Sequence, residues 1–261
     1  MKFLTETSAL LATGLFLATP VFAQQTSAAT DAFGALRFTF TPDADTYMSL
    51  NFLRDEAFRG TVDDVSQDAT ETTLTVVGTP AWDDDQFITG DQHFVLICNG
   101  PLDGTTNQPT NDSWEGAWVQ VTANTSNTLI FDTDEFNAAI GDLNDLLDAN
   151  GDGSTGDGVT IKVIPFWTLN TLFPDQEGII ARTSGAIGET TSIFLPRLPD
   201  HAKPESQGEF DRGVNLTPEA EYQFVDFSGI EGWFLATDPG GTEVGDTILL
   251  EPNSFVCVRN R

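Results

Sequence analysis

Gly116-Ala-Trp-Val-Gln-Val121, followed after a polar run by Thr128-Leu-Ile-Phe131, reads as a hairpin: a strand, a polar turn and a Thr-Leu strand. Side chains alternate along a strand, so Ala117, Val119 and Val121 share one face and Trp118 and Gln120 the other. A similar arrangement occurs upstream, where Gly60-Thr-Val62 and Val65 lead into Thr73-Leu74-Thr-Val76. Convergent β chemistry explains this echo as well as duplication does. Outward from the two hairpins, runs rich in Thr, Val, Ile and Phe recur at 34–40, 46–53, 93–98, 159–165, 190–195, 221–227, 232–236, 246–250 and 254–259. Gly, Asp, Asn or Pro separates them. Many short strands at close spacing predict a mainly β fold, an antiparallel barrel or sandwich. Several runs are apolar on both faces, which suits a closed core better than a transmembrane barrel.

One helix is expected at about 134–148. Thr133 or Asp134 can cap it, and Phe136, Ala139, Ile140, Leu143 and Leu147 follow at helical spacing. The Gly-rich stretch after Asp148 ends it. A shorter helical turn is expected after Trp167, in WTLNTLF.

The chain has 261 residues, with 40 Asp+Glu against 11 Lys+Arg and a net charge of −29. Such a chain repels polyanions, so no nucleic acid and no anionic membrane surface is expected as a partner. Its acids are 26 Asp and 14 Glu, and Asp favours turns and caps over helix interiors. Residues 1–23 read as a secretory signal peptide. Lys2 precedes the apolar run Ala9–Ala18, and Val21-Phe22-Ala23 offers a cleavage site. The run is too short for a spanning helix. Residues 24–31 read as a polar, flexible leader and 32–261 as a single β-rich domain, with two packed β subdomains as the alternative division. The protein is expected to be exported, to the periplasm, the cell surface or the medium.

In an exported protein the two cysteines, Cys98 and Cys257, permit one disulfide; two separate buried thiols are the other reading. His93 sits in an apolar strand and reads as a satisfied strand residue, and His201 lies in a polar loop. The sequence has no Gly-x-Ser-x-Gly elbow, His-Glu-x-x-His or Cys-x-x-Cys. The acidic run Asp83-Asp84-Asp85 after Trp82 reads as a solvated turn, and no carboxylate pair stands out as catalytic.

Two binding features remain. Asp148-x-Asn150-x-Asp152-Gly153 matches the first half of an EF-hand-type calcium loop, whose oxygen ligands are spaced by two. Val159 stands where the bidentate Glu belongs and Asp157 is two residues early, so Asp148, Asn150, Asp152 and Asp157 form at best a weak Ca²⁺ site; a flexible acidic loop is the plainer reading. Trp118 lies on the polar face of its strand with Trp114 nearby, a pair that could stack on a sugar ring. The plainer reading is that a loop or second core covers Trp118.

Further phrases act as a set. AFGALRFTFTPDADTYMSLNFLRDEAFRGTV opens the chain after the leader, with Ser49, Leu50, Arg54, Phe58, Gly60 and Val62 in a spaced pattern. GTPAWDDDQF (78–87), IPFWTLNTLFP (164–174) and the closing run from TTSIFLP to LLEPNSFVCVRN follow. Together they resemble a family of uncharacterised exported proteins of Verrucomicrobia-type bacteria. The resemblance spans most of 33–260 and rests chiefly on IPFWTLNTLFP; the Asp/Gly insertion at 148–158 departs from it. It implies export and β architecture but no chemistry, so no functional residue carries over. The expectation is a non-enzymatic structural or adhesive protein of the cell surface or extracellular matrix, self-associating or binding glycans. A carbohydrate-binding module is the alternative, and a carboxylate-dependent glycan-cleaving enzyme the third reading. No cofactor is expected unless Ca²⁺ occupies the loop.

Overall fold

Leu74 and Leu129 face each other across two neighbouring strands and are fully buried, and that register organises the larger of two sheets. In the computed structural model the described residues are 39–40, 42–99, 115–141, 143–149, 153–176, 178–184, 189–195 and 220–260. All lie in the compact unit Phe38–Arg261. They form twelve strands in two antiparallel sheets, so the protein is mainly β. The runs at 34–38 lie outside the described residues. Residues 246–250, read as a strand, form turns with one isolated bridge from Leu250 to Trp167.

The first sheet has the order β5-β4-β8-β2-β3-β7-β6. Its strands are β2 (Phe58–Gln67), β3 (Glu71–Val76), β4 (His93–Ile97), β5 (Trp118–Gln120), β6 (Ala123–Asn124), β7 (Thr128–Asp132) and β8 (Thr160–Pro165). The first expected hairpin forms, β2 pairing with β3 across a bulge between Val62 and Asp64; in place of the second, the short β6 pairs with β7. The second hairpin differs in its first arm. β5 turns away to pair with β4, while β6, two residues later, pairs with β7. Between them, Val121 N–H donates to His93 O and Thr122 N–H to Ile130 O. One run of chain, 118–124, thus serves both ends of the sheet and curls it around a single core. Val62, Leu74, Val76, Val95, Ile97, Val119, Val121, Leu129, Phe131, Ile161 and Val163 fill that core. Burying each such side chain contributes about 1.5–3 kcal/mol before entropy is counted.

Helix α1 (Thr133–Ala139) plugs this core with Phe136. Its cap is Asp132, whose carboxylate accepts from the N–H groups of Asp134 and Glu135. The helix is half the expected length. Gly141, at φ +79°, breaks it, and a separate 3-10 turn at Leu143–Leu146 follows. Ile140, Leu143 and Leu147 still reach the core, as the periodicity marked, but so does Leu146, which it did not mark and which is the more deeply buried, and the helix is not continuous.

The second sheet has the order β1-β12-β9-β10-β11. It joins β1 (Ala44–Ser49) to the C-terminal β12 (Phe255–Asn260), then β9 (Thr191–Leu195), β10 (Ala220–Phe227) and β11 (Ile230–Leu235). The β10–β11 turn is Ser228-Gly229, both at positive φ, as a two-residue type I′ hairpin requires. Met48, Ile193, Tyr222, Phe224, Trp233, Val256 and Val258 form its core with Leu169 and Phe173. Leu169 opens α2 (Leu169–Leu172), the turn expected after Trp167, and Phe173 ends it; Thr168 and Thr171 form its capping box.

Candidate functional site

Trp118 sits on the face opposite Val119, as alternation required, but it is half-buried in a third apolar cluster. It meets Phe94 and Phe166 edge-on at 5.9 and 5.7 Å, with Leu96 and Leu249 beside it. Trp114 lies outside the described residues. Trp82 is buried edge-on between Phe58 and Phe87, and Asp83, Asp84 and Asp85 form an exposed turn.

Of the calcium-loop residues, Asn150 and Asp152 lie outside the described residues. Asp148 Oδ2 accepts from Gly153 N–H at 2.6 Å, closing a local turn. Asp157 is half-buried, and its Oδ1 has no hydrogen-bond partner among the described residues. Val159, where a calcium loop needs its last carboxylate, is core: its N–H donates to Leu146 O and its carbonyl accepts from Val62 N–H. No three His, Cys, Asp or Glu converge among the described residues.

The disulfide reading is corrected: Cys98 and Cys257 are both free thiols. Cys98 follows β4 in the first sheet, and Cys257 lies in β12 of the second. Both segments are strand-like and buried, which made them look like partners, but they serve different cores. His93 is the expected satisfied strand residue. Its Nδ1 lies 3.0 Å from Phe87 O and 2.8 Å from Asp91 O, and burial pushes its pKa down. His201 lies outside the described residues.

The feature that sequence reading missed is the outer face of the second sheet, where the first and last strands meet. Met48 points into the core, so Asp45 and Tyr47 point out. Likewise Val256 and Val258 point in, and Phe255, Cys257 and Arg259 point out. The β1–β12 register sets Asp45 opposite Arg259 and Tyr47 opposite Cys257. Arg259 holds Asp45 with two donors, Nε to Oδ1 at 2.5 Å and a terminal nitrogen to Oδ2 at 2.7 Å. The same guanidinium lies 4.7 Å from the ring centre of Phe194, on neighbouring β9. Tyr47 is 57% exposed and Phe255 37%, with ring centres 5.9 Å apart.

The Tyr47 hydroxyl is raised above its ordinary pKa chiefly by charge repulsion from the Cys257 thiolate, then by burial and by Asp45. Burial, then Asp45, raises the Cys257 thiol. The face therefore carries the rings of Tyr47, Phe194 and Phe255, the Asp45–Arg259 ion pair and, from β10, Glu221 set opposite Phe194. Alternation in ADTYMS and FVCVRN was a readable signal for each strand's outer face. The pairing of those strands, 214 residues apart at Asp45 and Arg259, was not.

The family models, curated proteins and solved structures compared with this chain contain no match to it. The molecule is thus defined by its fold and surface: a mainly β, two-sheet protein with an aromatic face where its first and last strands pair. Among the described residues no helix is long and apolar enough to cross a membrane, which says nothing of a β-barrel.

Proposed function

We propose that this is an exported, non-enzymatic protein of the cell surface or extracellular matrix, with a structural or adhesive role played by the outer face of the second sheet. The observation that carries the reading is Tyr47, more than half exposed and standing beside Phe255 on a rigid antiparallel pair of strands. Large exposed aromatic groups gathered on one face mark contact surfaces. The signal-like residues 1–23 support export, and the charge of −29 keeps such a protein dispersed until a specific contact holds it. The test is surface labelling of intact cells with a membrane-impermeant reagent, followed by attachment assays with Tyr47→Ala and Phe255→Ala variants. Labelling of the parent and weaker attachment by both variants are expected. A protein protected from the reagent in intact cells, or variants that attach as the parent does, would refute the reading.

A further inference from the structure

We infer that the free edge of β1 pairs with the same edge of a second copy of this chain, joining two copies of the second sheet about a twofold axis. The ladder fixes which main-chain groups are free. Leu50 N–H donates to Ser254 O, one step past the end of the β1–β12 register. Bonded and non-bonded pairs alternate along an antiparallel ladder. Thr46 and Met48 therefore turn their main-chain groups to β12, and Tyr47 and Ser49 turn theirs to the open side. Among the described residues nothing hydrogen-bonds to the main chain of Tyr47 or Ser49. The opposite end of the sheet is closed. On β11 the outward groups of Trp233 are taken, its N–H by Glu243 Oε1 at 3.2 Å and its carbonyl by Val244 N–H at 2.9 Å. Proteins guard sheet edges with Lys, Pro, a bulge or a covering loop, because an open edge takes up another strand. A loop guards β11, whereas ADTYMS of β1 contains no Lys, Pro or bulge.

The strand's own sequence selects a second copy as the occupant. With β1 antiparallel to itself about Tyr47, each Tyr47 faces its counterpart and each Ser49 faces an Asp45. The Tyr47 pair exchanges two main-chain hydrogen bonds and sets ring beside ring. The two Asp45 carboxylates then stand four residues apart along the ladder, about 14 Å, beyond the screening length of about 8 Å at 0.15 M salt. Each keeps its own Arg259. Centring the pair on Asp45 instead would set the carboxylates face to face, which is destabilising. A loose peptide loses backbone entropy when it pairs, whereas β1 is already extended in every copy. Because β11 is sealed, this sheet closes at two copies and does not run on into a fibre. The contact is short and each copy carries −29, so the dimer is weak in dilute salt and strengthens as salt screens the repulsion. The edge is a different surface from the outer face proposed for attachment, though the Tyr47 ring belongs to that face; the pairing stands without an adhesive role.

Sedimentation velocity of the full protein, from micromolar to about 0.1 mM in low and high NaCl, tests this. A monomer–dimer equilibrium that strengthens with salt is expected. Tyr47 and Tyr222 are the two tyrosines of the chain, and Tyr222 is buried. Photo-oxidation that couples adjacent tyrosine rings should therefore give a covalent dimer linked through residue 47. Tyr47→Phe should still dimerise but form no such link. Ser49→Pro removes one outward N–H per copy and leaves the β12 ladder and both rings of the outer face in place, so it should weaken the dimer about tenfold. Thermal melts check that each variant folds, and where Ser49→Pro is destabilised the position of the cross-link decides. A monomer at every concentration and salt, which leaves the edge to a foreign strand or to the chain's own leader, would overturn the proposal. So would a covalent dimer linked only through Tyr222, or a folded Ser49→Pro variant that dimerises as the parent does.

Discussion

Arg54 and Trp167 meet where the chain crosses between the two sheets. The guanidinium carbon lies 5.9 Å from the indole ring, one guanidinium nitrogen donates to Phe166 O at 3.0 Å, and Trp167 Nε1 donates to Phe52 O at 2.9 Å. Residues 50–57 carry the chain from β1 to β2, and 166–168 carry it from β8 to α2. The two crossings run between different sheets, and these bonds tie one to the other. Phe52 adds an edge contact to Trp167 at 5.4 Å, and Arg54 also pairs with Asp91 at 2.9 Å. The Trp167 of IPFWTLNTLFP and the Arg54 of the spaced pattern upstream thus hold each other in place.

Removing either partner should therefore cost more than a surface change. Arg54→Ala leaves the Phe166 carbonyl without its donor, a loss of about 1–2 kcal/mol. Trp167→Phe strands the Phe52 carbonyl and costs about 1–3 kcal/mol. The double variant should recover about 0.5–1 kcal/mol of coupling, read from urea midpoints at constant slope. Strict additivity would mean that the ring and the guanidinium do not interact.

Trp233 is fully buried, yet its indole N–H has no acceptor among the described residues. An unsatisfied buried donor costs about 1–3 kcal/mol, so Trp233→Phe gives up packing but also removes a penalty. The expected net loss is at most about 1–2 kcal/mol, against about 3–5 for Trp233→Ala. Equal losses in the two variants would show that the N–H has a partner.

His93 gives a pH signature. Burial holds its pKa below 6.5, so the folded state resists the proton that the unfolded chain accepts. Its contribution is whole above pH 6.5, where both states are neutral, and declines as pH falls from there through the lower folded value. A His93→Gln variant lacks this titration. The advantage of the parent over the variant, measured by thermal melts, should shrink between about pH 7 and pH 5. A constant difference would place the ring in a site open to water.

Much of the fold was legible because alternation is a local signal. Thr72, Leu74 and Val76 in β3, and Leu129 and Phe131 in β7, announce one buried face each, and the β2–β3 hairpin follows, whereas the arm expected opposite β7 pairs with β4 instead. The helix was overread because Phe136, Ile140, Leu143 and Leu147 keep helical spacing on either side of Gly141, whose positive φ divides them. What alternation does not carry is which strand lies beside which. Cys98 and Cys257 looked like partners because both lie among apolar neighbours, though the topology assigns them to different sheets. For the same reason the aromatic face stayed hidden, since Tyr47 and Phe255 belong to opposite ends of the chain. Trp118 drew attention by standing among polar neighbours in sequence, but it packs against Phe94 and Phe166.

The charge leads to a last expectation. With 40 acids and 11 bases, the folded chain holds more like charge at short range than the expanded one, so repulsion favours unfolding. Several bases are committed locally: Arg259 to Asp45, Arg54 to Asp91, and Lys162 and Arg59 to Glu56. Most of the excess is left to the solvent to screen. The screening length falls from about 30 Å at 0.01 M salt to about 3 Å at 1 M. Those exposed pairs weaken in salt too, but each is worth at most about 1 kcal/mol. Net repulsion therefore decides the sign, and NaCl should raise the melting temperature at pH 7. Near pH 4.1, where the net charge vanishes, the repulsion is gone and the same salt should do little or lower it. Thermal melts across a NaCl series at the two pH values decide the matter. A salt response of equal size and sign at both would mean that the ion acts through exclusion from the surface, not through charge.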